Sequence, residues 1–248
     1  MTGMLIVDRV SVAFGNLKAV DDVSFRVDQG DRLALIGPNG AGKTTLLNVI
    51  GGQHPGTHGR VTYRGRNLTR LSPDRRARLG IARSFQVPSV FRDLHVAENV
   101  WLALACHDRP RLGLRLSRAR ARTLDDAVGA ALDAWSLIAE GETPAGQLSH
   151  GQQRRLELCL ALGSDPGLVL LDEPTAGLTK DERLLLVATI NALPSSVSVL
   201  VIDHDIDSVF AMARRVIVMH RGRIVADGTP AEMRTDSAVA RAYGLPGA

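Results

Sequence analysis

Cysteine and aromatic residues are scarce in this chain of 248 residues, and long apolar runs are missing from it. Its two cysteines, Cys106 and Cys159, lie far apart without metal-ligand spacing, which favours a reducing compartment over a disulfide framework. No stretch approaches the ~20 apolar residues of a membrane-spanning helix, and the N-terminus lacks the basic-then-apolar pattern of a signal peptide. If this protein works at a membrane, we expect it to do so as a peripheral subunit.

The charge balance is mildly basic, with a formal net charge of +4. This charge suits an acidic phosphate ligand or a membrane surface. Aromatic residues make up only 4% of the chain and are not interleaved with the basic ones, so no nucleic-acid partner is expected. The length predicts one large domain, or one domain with a subdomain, around a mainly aliphatic core.

The strongest functional signal lies at residues 37–44, which fit the phosphate-binding pattern G-x-x-x-x-G-K-[ST]. An apolar strand at 32–36 precedes them and a helical run at 45–50 follows. Glycines let backbone N–H groups turn toward an anion, and the helix start adds its positive dipole end. Lys43 is predicted to reach the β/γ-phosphates of a nucleotide, and the Thr44 hydroxyl to ligate Mg²⁺. The predicted nucleotide-binding positions here are Gly37, Pro38, Asn39, Gly40, Ala41, Gly42, Lys43, Thr44 and Thr45.

Two adjacent carboxylates, Asp172 and Glu173, follow the continuous apolar run Leu168–Leu171, which is typical of a buried parallel strand. A carboxylate at a strand end beside a phosphate-binding loop can hold Mg²⁺, directly or through water. A second carboxylate can polarise an attacking water. We therefore predict Asp172 as a metal ligand and Glu173 as a catalytic residue.

The remaining pattern predicts an α/β fold with a mainly parallel core sheet. Short strands over 4–36 and at 59–65 indicate a small antiparallel sheet. Residues 88–165 carry helical stretches with little strand signal, which predicts an inserted α-helical subdomain within a single domain spanning 4–245. The core sheet is expected to continue through a βαβ unit and a hairpin, at 168–171, 181–193, 197–202, 216–219 and 223–226.

The segment Leu148–Gln153 resembles the signature motif of ATP-binding-cassette (ABC) ATPases, L-S-G-G-Q, with His150 at a position where glycine is usual. Other motifs of that family occur in the expected order. They are an aromatic residue that stacks on adenine, a glutamine bordering the helical subdomain, the loop after the catalytic glutamate and a switch histidine, at Phe14, Gln86, Ala176–Thr179 and His204. The resemblance covers about Leu5 to Tyr243 and implies the P-loop NTPase fold of an ABC cassette.

The resemblance also implies roles that the residue pattern alone does not. Gln86 would contact the nucleotide and its metal, and His204 would act with Glu173 and Lys43 in catalysis. Two ABC ATPase subunits would sandwich two ATP molecules, each bound by one chain and by the signature residues of the other, Ser149, Gly151 and Gln152. Thr179 stands where aspartate is usual, which leaves its contacts with the second subunit open.

Within the family, segments 85–100, 151–158 and 236–243 resemble ATPase subunits of bacterial branched-chain amino acid importers. Such a subunit would bind transmembrane permease subunits, and serve a solute-binding protein indirectly, at the cytoplasmic face of the inner membrane. Urea and short-chain amide importers share several of these motifs, so they are the alternative to the favoured branched-chain amino acid uptake. The choice between homodimer and heterodimer stays open.

Two further classes remain as alternatives, an exporter subunit and a soluble mechanical ABC ATPase. Members of the second class usually fuse two cassettes or carry a long coiled-coil insertion. This sequence shows neither pattern, so that class is not favoured. The basic stretch Arg109–Arg122 fits a solvated surface, or contact with anionic headgroups or the membrane partner.

Overall fold

The computed structural model describes residues 3–84, 90–107, 118–163 and 165–243. Its strands are β1 (Leu5–Phe14), β2 (Leu17–Val27), β3 (Arg32–Ile36), β4 (His58–Tyr63), β5 (Arg66–Asn67), β6 (Ile81–Arg83), β7 (Leu168–Asp172), β8 (Ser198–Ile202), β9 (Arg215–His220) and β10 (Arg223–Gly228). Its helices are α1 (Lys43–Gly51), α2 (Pro73–Ala77), α3 (Val96–His107), α4 (Arg118–Ala134), α5 (His150–Leu162), α6 (Lys180–Asn191), α7 (Ile206–Met212), α8 (Pro230–Thr235) and α9 (Ser237–Ala242).

The chain divides into two compact units. The first consists of Met1–Arg83, Gly167–Pro174 and Leu193–Ala248, and the second of Ser84–Pro166 and Thr175–Ala192. The second unit contains α6, a helix that the sequence pattern does not associate with the helical subdomain. The description of 4–245 as one domain with a subdomain at 88–165 stays a prediction.

A six-stranded sheet in the order β10-β9-β3-β8-β7-β6 forms the core of the first unit. Every pair is parallel except β10 with β9, which is antiparallel. Strands β3, β7 and β8 are buried along their whole length, which explains why their sequences are continuous apolar runs rather than alternating ones.

The carboxyl ends of these parallel strands bring the predicted site residues to one edge of the sheet. Strand β3 ends at Ile36, directly before the glycine-rich loop. Asp172, the last residue of β7, pairs in register with Ile202, the last residue of β8. Residues that follow strands in this position meet at a shared edge, where open α/β sheets bind their ligands.

A second, antiparallel sheet in the first unit has the order β2-β1-β4-β5. Its buried face alternates along β1 and β2, and it packs with residues of the parallel sheet into one aliphatic cluster. Phe14 pairs with Leu17 at the hairpin turn that joins β1 to β2. The pairing therefore leaves the Phe14 ring at the end of the sheet, where its side chain is exposed.

The second unit is helical, with α3 packed on α4 and on α5. Helices α5 and α6 each begin with a capping box, in which a hydroxyl and a residue three positions later satisfy each other's backbone N–H groups. Short 3-10 turns at Ile138–Glu140 and Ala145–Gln147 lead from α4 to α5. Over the described ranges, the helices are too short or too polar to cross a membrane.

The predicted mainly parallel core sheet, antiparallel sheet and helical segment are confirmed, as is the hairpin of β9 and β10. The sequence pattern did not predict β6, which has three residues and is too short to show alternation. It also did not predict the short helices α7, α8 and α9. Helix α4 ends at Ala134, and Ser136, two residues later, adopts a left-handed conformation with φ 52° that does not continue a helix.

Candidate functional site

The loop between β3 and α1 has a backbone that only glycine accepts at two positions. Gly37 and Gly42 have φ values of 147° and 99°. A Cβ on Gly37 would lie 2.1 Å from the carbonyl oxygen of Met219, and one on Gly42 would lie 2.2 Å from that of Ala19. Gly42 is also the N-cap of α1 and has no side chain with which to cap it. The first N–H groups of α1 are therefore not covered by a capping side chain, as an anion site requires.

Lys43 folds back over this loop. Its ammonium donates to the carbonyl oxygens of Gly37 at 2.7 Å and Pro38 at 3.0 Å, and the residue is 6% exposed. Burial lowers the pKa of Lys43, and the negative charges of Glu173 and Asp172 oppose this shift. A cation thus lies at the loop, close to two carboxylates.

Asp172 is held by an arginine from a neighbouring strand. Its Oδ2 accepts from Arg83 Nη2 at 3.1 Å, and the two side chains are 2% and 11% exposed. The same guanidinium donates to the side-chain oxygens of Asn48 at 2.8 Å and Gln53 at 2.7 Å. Burial lowers the pKa of Arg83, and the attraction of Asp172 opposes this. Arg83 therefore connects the carboxylate after β7 to the helix that follows the loop.

Glu173 turns away from the buried side of β7 because its backbone is left-handed, with φ 49°. Its N–H donates to the carbonyl of Ile202 at 2.7 Å, which ties it to the end of β8. Its Oε1 lies 2.6 Å from Nε2 of His204, a side chain that is about half exposed. The Asp203 carboxylate accepts from the N–H groups of His204 and Asp205, fixing the turn that presents the imidazole.

Loop, glutamate and histidine share an open cleft of about 620 Å³. Phe14, which is 52% exposed, forms another part of its wall and makes an edge-on contact with His54, with ring centroids 5.2 Å apart. The predicted site residues that line the cleft are Phe14, Asn39, Gly40, Ala41, Gly42, Lys43, Thr44, Thr45, Glu173 and His204. The structure thus gathers a cationic loop, an exposed ring and a carboxylate–imidazole pair around a space of nucleotide size.

Comparison with protein families matches residues 20–176 to the family described as ABC transporter. The chain belongs to this ABC transporter family. It is 36% identical to the high-affinity branched-chain amino acid transport ATP-binding protein LivG of Salmonella typhimurium (strain LT2), over 97% of each chain. It is 35% identical to the protein of the same description, BraF, of Pseudomonas aeruginosa, again over 97% of each.

A crystal structure of the ADP conformation of an ATP-binding cassette of an ABC transporter has the same fold, with a TM-score of 0.84 and 28% identity. The match covers 98% of this chain and 99% of that one. The predicted fold class and enzyme class are confirmed: the protein is an ABC cassette with the ATPase activity of its family, and ATP is its nucleotide.

The predicted signature residues lie in the second unit of this ABC ATPase, at the start of α5. Ser149 Oγ accepts from the N–H of Gln152 at 3.3 Å, and Gln152 Oε1 accepts from the N–H of Ser149 at 2.8 Å. Gly151 packs closely on Glu182, since a Cβ there would lie 1.9 Å from Glu182 Oε1 and that side chain would have to move. His150, the departure from the usual glycine, places Nε2 3.3 Å from the carbonyl of Ala176.

Three contacts of this ABC ATPase were not predicted from its sequence. Arg83 and Tyr243 reach the site from 89 and 206 positions away, and His150 contacts the loop that follows Pro174. The conformational strain at Glu173 also has no sequence signal. Gln86, predicted to bind nucleotide and metal, lies outside the described residues, as do Arg109, Arg111 and Arg115 of the basic stretch.

Proposed function

We propose that this ABC ATPase hydrolyses ATP in the cleft of its first unit to power a bacterial importer of branched-chain amino acids. The observation that carries the catalytic assignment is the contact between Glu173 and His204 at 2.6 Å, in the cleft that Lys43 and Thr44 also line. The solute is proposed because relatives that match over 97% of their length are described as branched-chain amino acid transport proteins.

Phosphate binding is assigned to the loop and the start of α1. Lys43 already forms hydrogen bonds with two loop carbonyls, and it would exchange these for phosphate oxygens without rebuilding the fold. Phe14 is exposed and would cover the adenine ring by stacking. Backbone N–H groups between Asn39 and Thr45 would add further donors, since Pro38 has no N–H and that of Gly37 donates to Tyr243.

The donor set fits Mg²⁺, a hard cation that takes oxygen ligands. The Thr44 hydroxyl and the Asp172 carboxylate would hold it, with Gln86 as the further predicted ligand. Asp172 is suited to the role because Arg83 fixes one of its oxygens. When bound, Mg²⁺ would neutralise charge on the β- and γ-phosphates.

Glu173 is assigned to orient the attacking water, and His204 to contact the γ-phosphate. Their mutual hydrogen bond orients both side chains. The Asp203 carboxylate accepts from the His204 N–H and so holds the turn from which the imidazole extends. Phosphoryl transfer requires mainly positioning and charge stabilisation, and these groups supply both. In these roles the carboxylate would accept a hydrogen bond from water, and the imidazole would turn its Nε2 from Glu173 to the γ-phosphate.

The proposed partners are a second ABC ATPase subunit and a membrane permease. Ser149, Gly151 and Gln152 start α5, where a phosphate would replace the capping bond between Ser149 and the Gln152 N–H. The permease is assigned to an apolar groove of about 590 Å³ in the second unit, lined by residues that include Leu94, Trp101 and Val128. Phe91 is 63% exposed, as an apolar contact residue would be. The subunit would act as a peripheral protein at the cytoplasmic face of the membrane.

The catalytic assignment is tested by Glu173→Gln, which keeps the side-chain shape but removes the charge that orients water. Turnover should fall at least ~10²-fold, about 2.7 kcal/mol in the barrier, while ATP affinity is kept. Glu232→Gln is the matched control, since Glu232 caps α8 and is exposed. Steady-state hydrolysis near the wild-type rate in Glu173→Gln would refute the assignment.

The composite site is tested by adding Ser149→Arg to Glu173→Gln and measuring mass by light scattering in ATP. We expect Glu173→Gln alone to dimerise, and the double variant to remain monomeric because the arginine fills the phosphate contact. The same substitution at the exposed Ser196, before β8, should leave the dimer intact. An unchanged ATP-induced dimer in the Ser149→Arg variant would contradict the shared site.

A further inference from the structure

The phosphate-binding loop is joined to the C-terminal end of the described chain. The hydroxyl oxygen of Tyr243 accepts a hydrogen bond from the backbone N–H of Gly37 at 2.9 Å. The carbonyl of the same glycine accepts from Lys43 at 2.7 Å. Both backbone polar groups of Gly37 therefore form hydrogen bonds. Its N–H donates to Tyr243 in the C-terminal tail (residues 236–243), and its carbonyl accepts from Lys43.

The tail is built to present this tyrosine. The Asp236 carboxylate accepts from the N–H of Ala238 and so starts α9. Helix α9 packs on β9 and β10, and Ala242 is buried there. Burial raises the pKa of Tyr243, so its hydroxyl stays protonated at neutral pH. Tyr243 is thus a fixed neutral acceptor and not a mobile terminal side chain.

Loss of the Tyr243 hydroxyl would remove the acceptor of the Gly37 N–H. Gly37 is buried, and its conformation is already restricted by the carbonyl of Met219, which leaves no room for a Cβ. A buried N–H that loses its partner raises the free energy of that backbone arrangement. Without Tyr243 the loop would therefore populate other arrangements, and a phosphate ligand would have to select the competent one.

We propose that Tyr243 is a positioning residue for the phosphate-binding loop, and that docking of α9 and nucleotide binding stabilise each other. The inference rests on the proposed function, because it takes the loop to be the site of the nucleotide phosphates. Since coupling between two binding events is reciprocal, nucleotide should hold the tail in place as strongly as the tail favours nucleotide.

The test compares Tyr243→Phe with Tyr63→Phe, because the two tyrosines are a natural matched pair. Tyr63 is also buried, but its hydroxyl donates to the carbonyl of Gly80 at 3.4 Å, and it lies on β4. The probes are Mg-ADP and a non-hydrolysable Mg-ATP analogue, titrated against the intact chain. We expect Tyr243→Phe to raise the Kd about 3- to 10-fold, as for one lost hydrogen bond, and Tyr63→Phe to leave it unchanged.

Amide hydrogen exchange on the wild-type chain gives a second readout that does not depend on a variant folding. Saturating Mg-ADP should slow exchange in Ser237–Ala242, and this slowing should be lost in Tyr243→Phe. A Kd in Tyr243→Phe equal to that of Tyr63→Phe would overturn the proposal, even if the melting temperature fell. Nucleotide-independent exchange in α9 of the wild type would overturn it as well.

Lys43→Ala separates this inference from the proposed function. If Lys43→Ala weakens nucleotide binding while Tyr243→Phe has no effect, the nucleotide site is right and only the positioning role is wrong. If Lys43→Ala leaves the Kd unchanged, the loop is not the nucleotide site, and the proposed function and the inference are both refuted.

Discussion

Replacing Arg83 with methionine should lower the free energy of unfolding more than the loss of any exposed ion pair would. The Arg83 guanidinium and the Asp172 carboxylate are 11% and 2% exposed, so loss of the arginine removes a hydrogen-bonded cation from a buried carboxylate. Breaking such a buried pair costs about 3–5 kcal/mol. We expect about 3 kcal/mol for Arg83→Met, toward the lower end, because the guanidinium retains some contact with solvent.

The assay is urea denaturation followed by circular dichroism, and the control is Arg215→Met. Arg215 makes two hydrogen bonds to Asp227, at 2.8 and 2.7 Å, a better geometry than that of Arg83. That pair is 31% and 38% exposed, so its loss should cost no more than about 1 kcal/mol. Burial, and not geometry, should therefore decide the difference.

A double-mutant cycle isolates the interaction. Asp172→Asn removes the charge that Arg83 compensates, so Arg83→Met should cost about 1–3 kcal/mol less in that background. The reasoning would be refuted if Arg83→Met cost no more than Arg215→Met, or if its cost were the same with Asn at 172.

Phe14→Ala should leave the free energy of unfolding within about 0.5 kcal/mol, because the ring is exposed, yet weaken ATP binding by about 1–3 kcal/mol of stacking in a nucleotide titration. Gly177→Ala should lower the free energy of unfolding by about 1–2 kcal/mol because residue 177 has a φ of 74°. The His150 ring, which would lie 2.9 Å from the new Cβ, should lower it further. In a His150→Gly background, urea denaturation should show that Gly177→Ala loses only the about 1–2 kcal/mol due to its backbone conformation. The same loss with His150 present and absent would argue against the contact with the ring. Burial raises the pKa of the Cys159 thiol to about 12, so alkylation by iodoacetamide at pH 8, followed by mass spectrometry in a Cys106→Ala variant, should be about 10³-fold slower than for free cysteine. Rapid labelling of the native chain would contradict that burial.

The glycine-rich loop and the Asp172–Glu173 pair could be predicted from sequence because their chemistry is local. A loop that binds phosphate needs its glycines and lysine at fixed spacing, and a carboxylate pair after an apolar strand is visible within six residues. The fold followed from the same local patterns, since buried parallel strands leave continuous apolar runs. Sequence reasoning was sufficient wherever one segment contained the whole signal.

Arg83 and Tyr243 could not be predicted in the same way. Their partners are set by which strands become neighbours and by where the final helix docks, and neither follows from a residue's own surroundings in the chain. Arg83 also occupies a strand of three residues, in which no periodicity can be detected. The capping role of Gln152 had a visible signal, a serine followed three residues later by glutamine, which was interpreted only as part of the signature motif.

At Glu173 the residue that hydrolysis is proposed to need has a left-handed backbone, which lowers the stability of the fold. A side-chain-bearing residue in that conformation costs about 1–2 kcal/mol relative to glycine, which adopts it freely. Glycine loses about 0.5–1 kcal/mol more backbone entropy on folding, so glycine at 173 would stabilise the chain by the remainder, about 1 kcal/mol or less. Directed selection of this chain for thermal resistance, without selection for hydrolysis, should enrich Glu173→Gly. The selected protein should have a higher melting temperature and should no longer hydrolyse ATP.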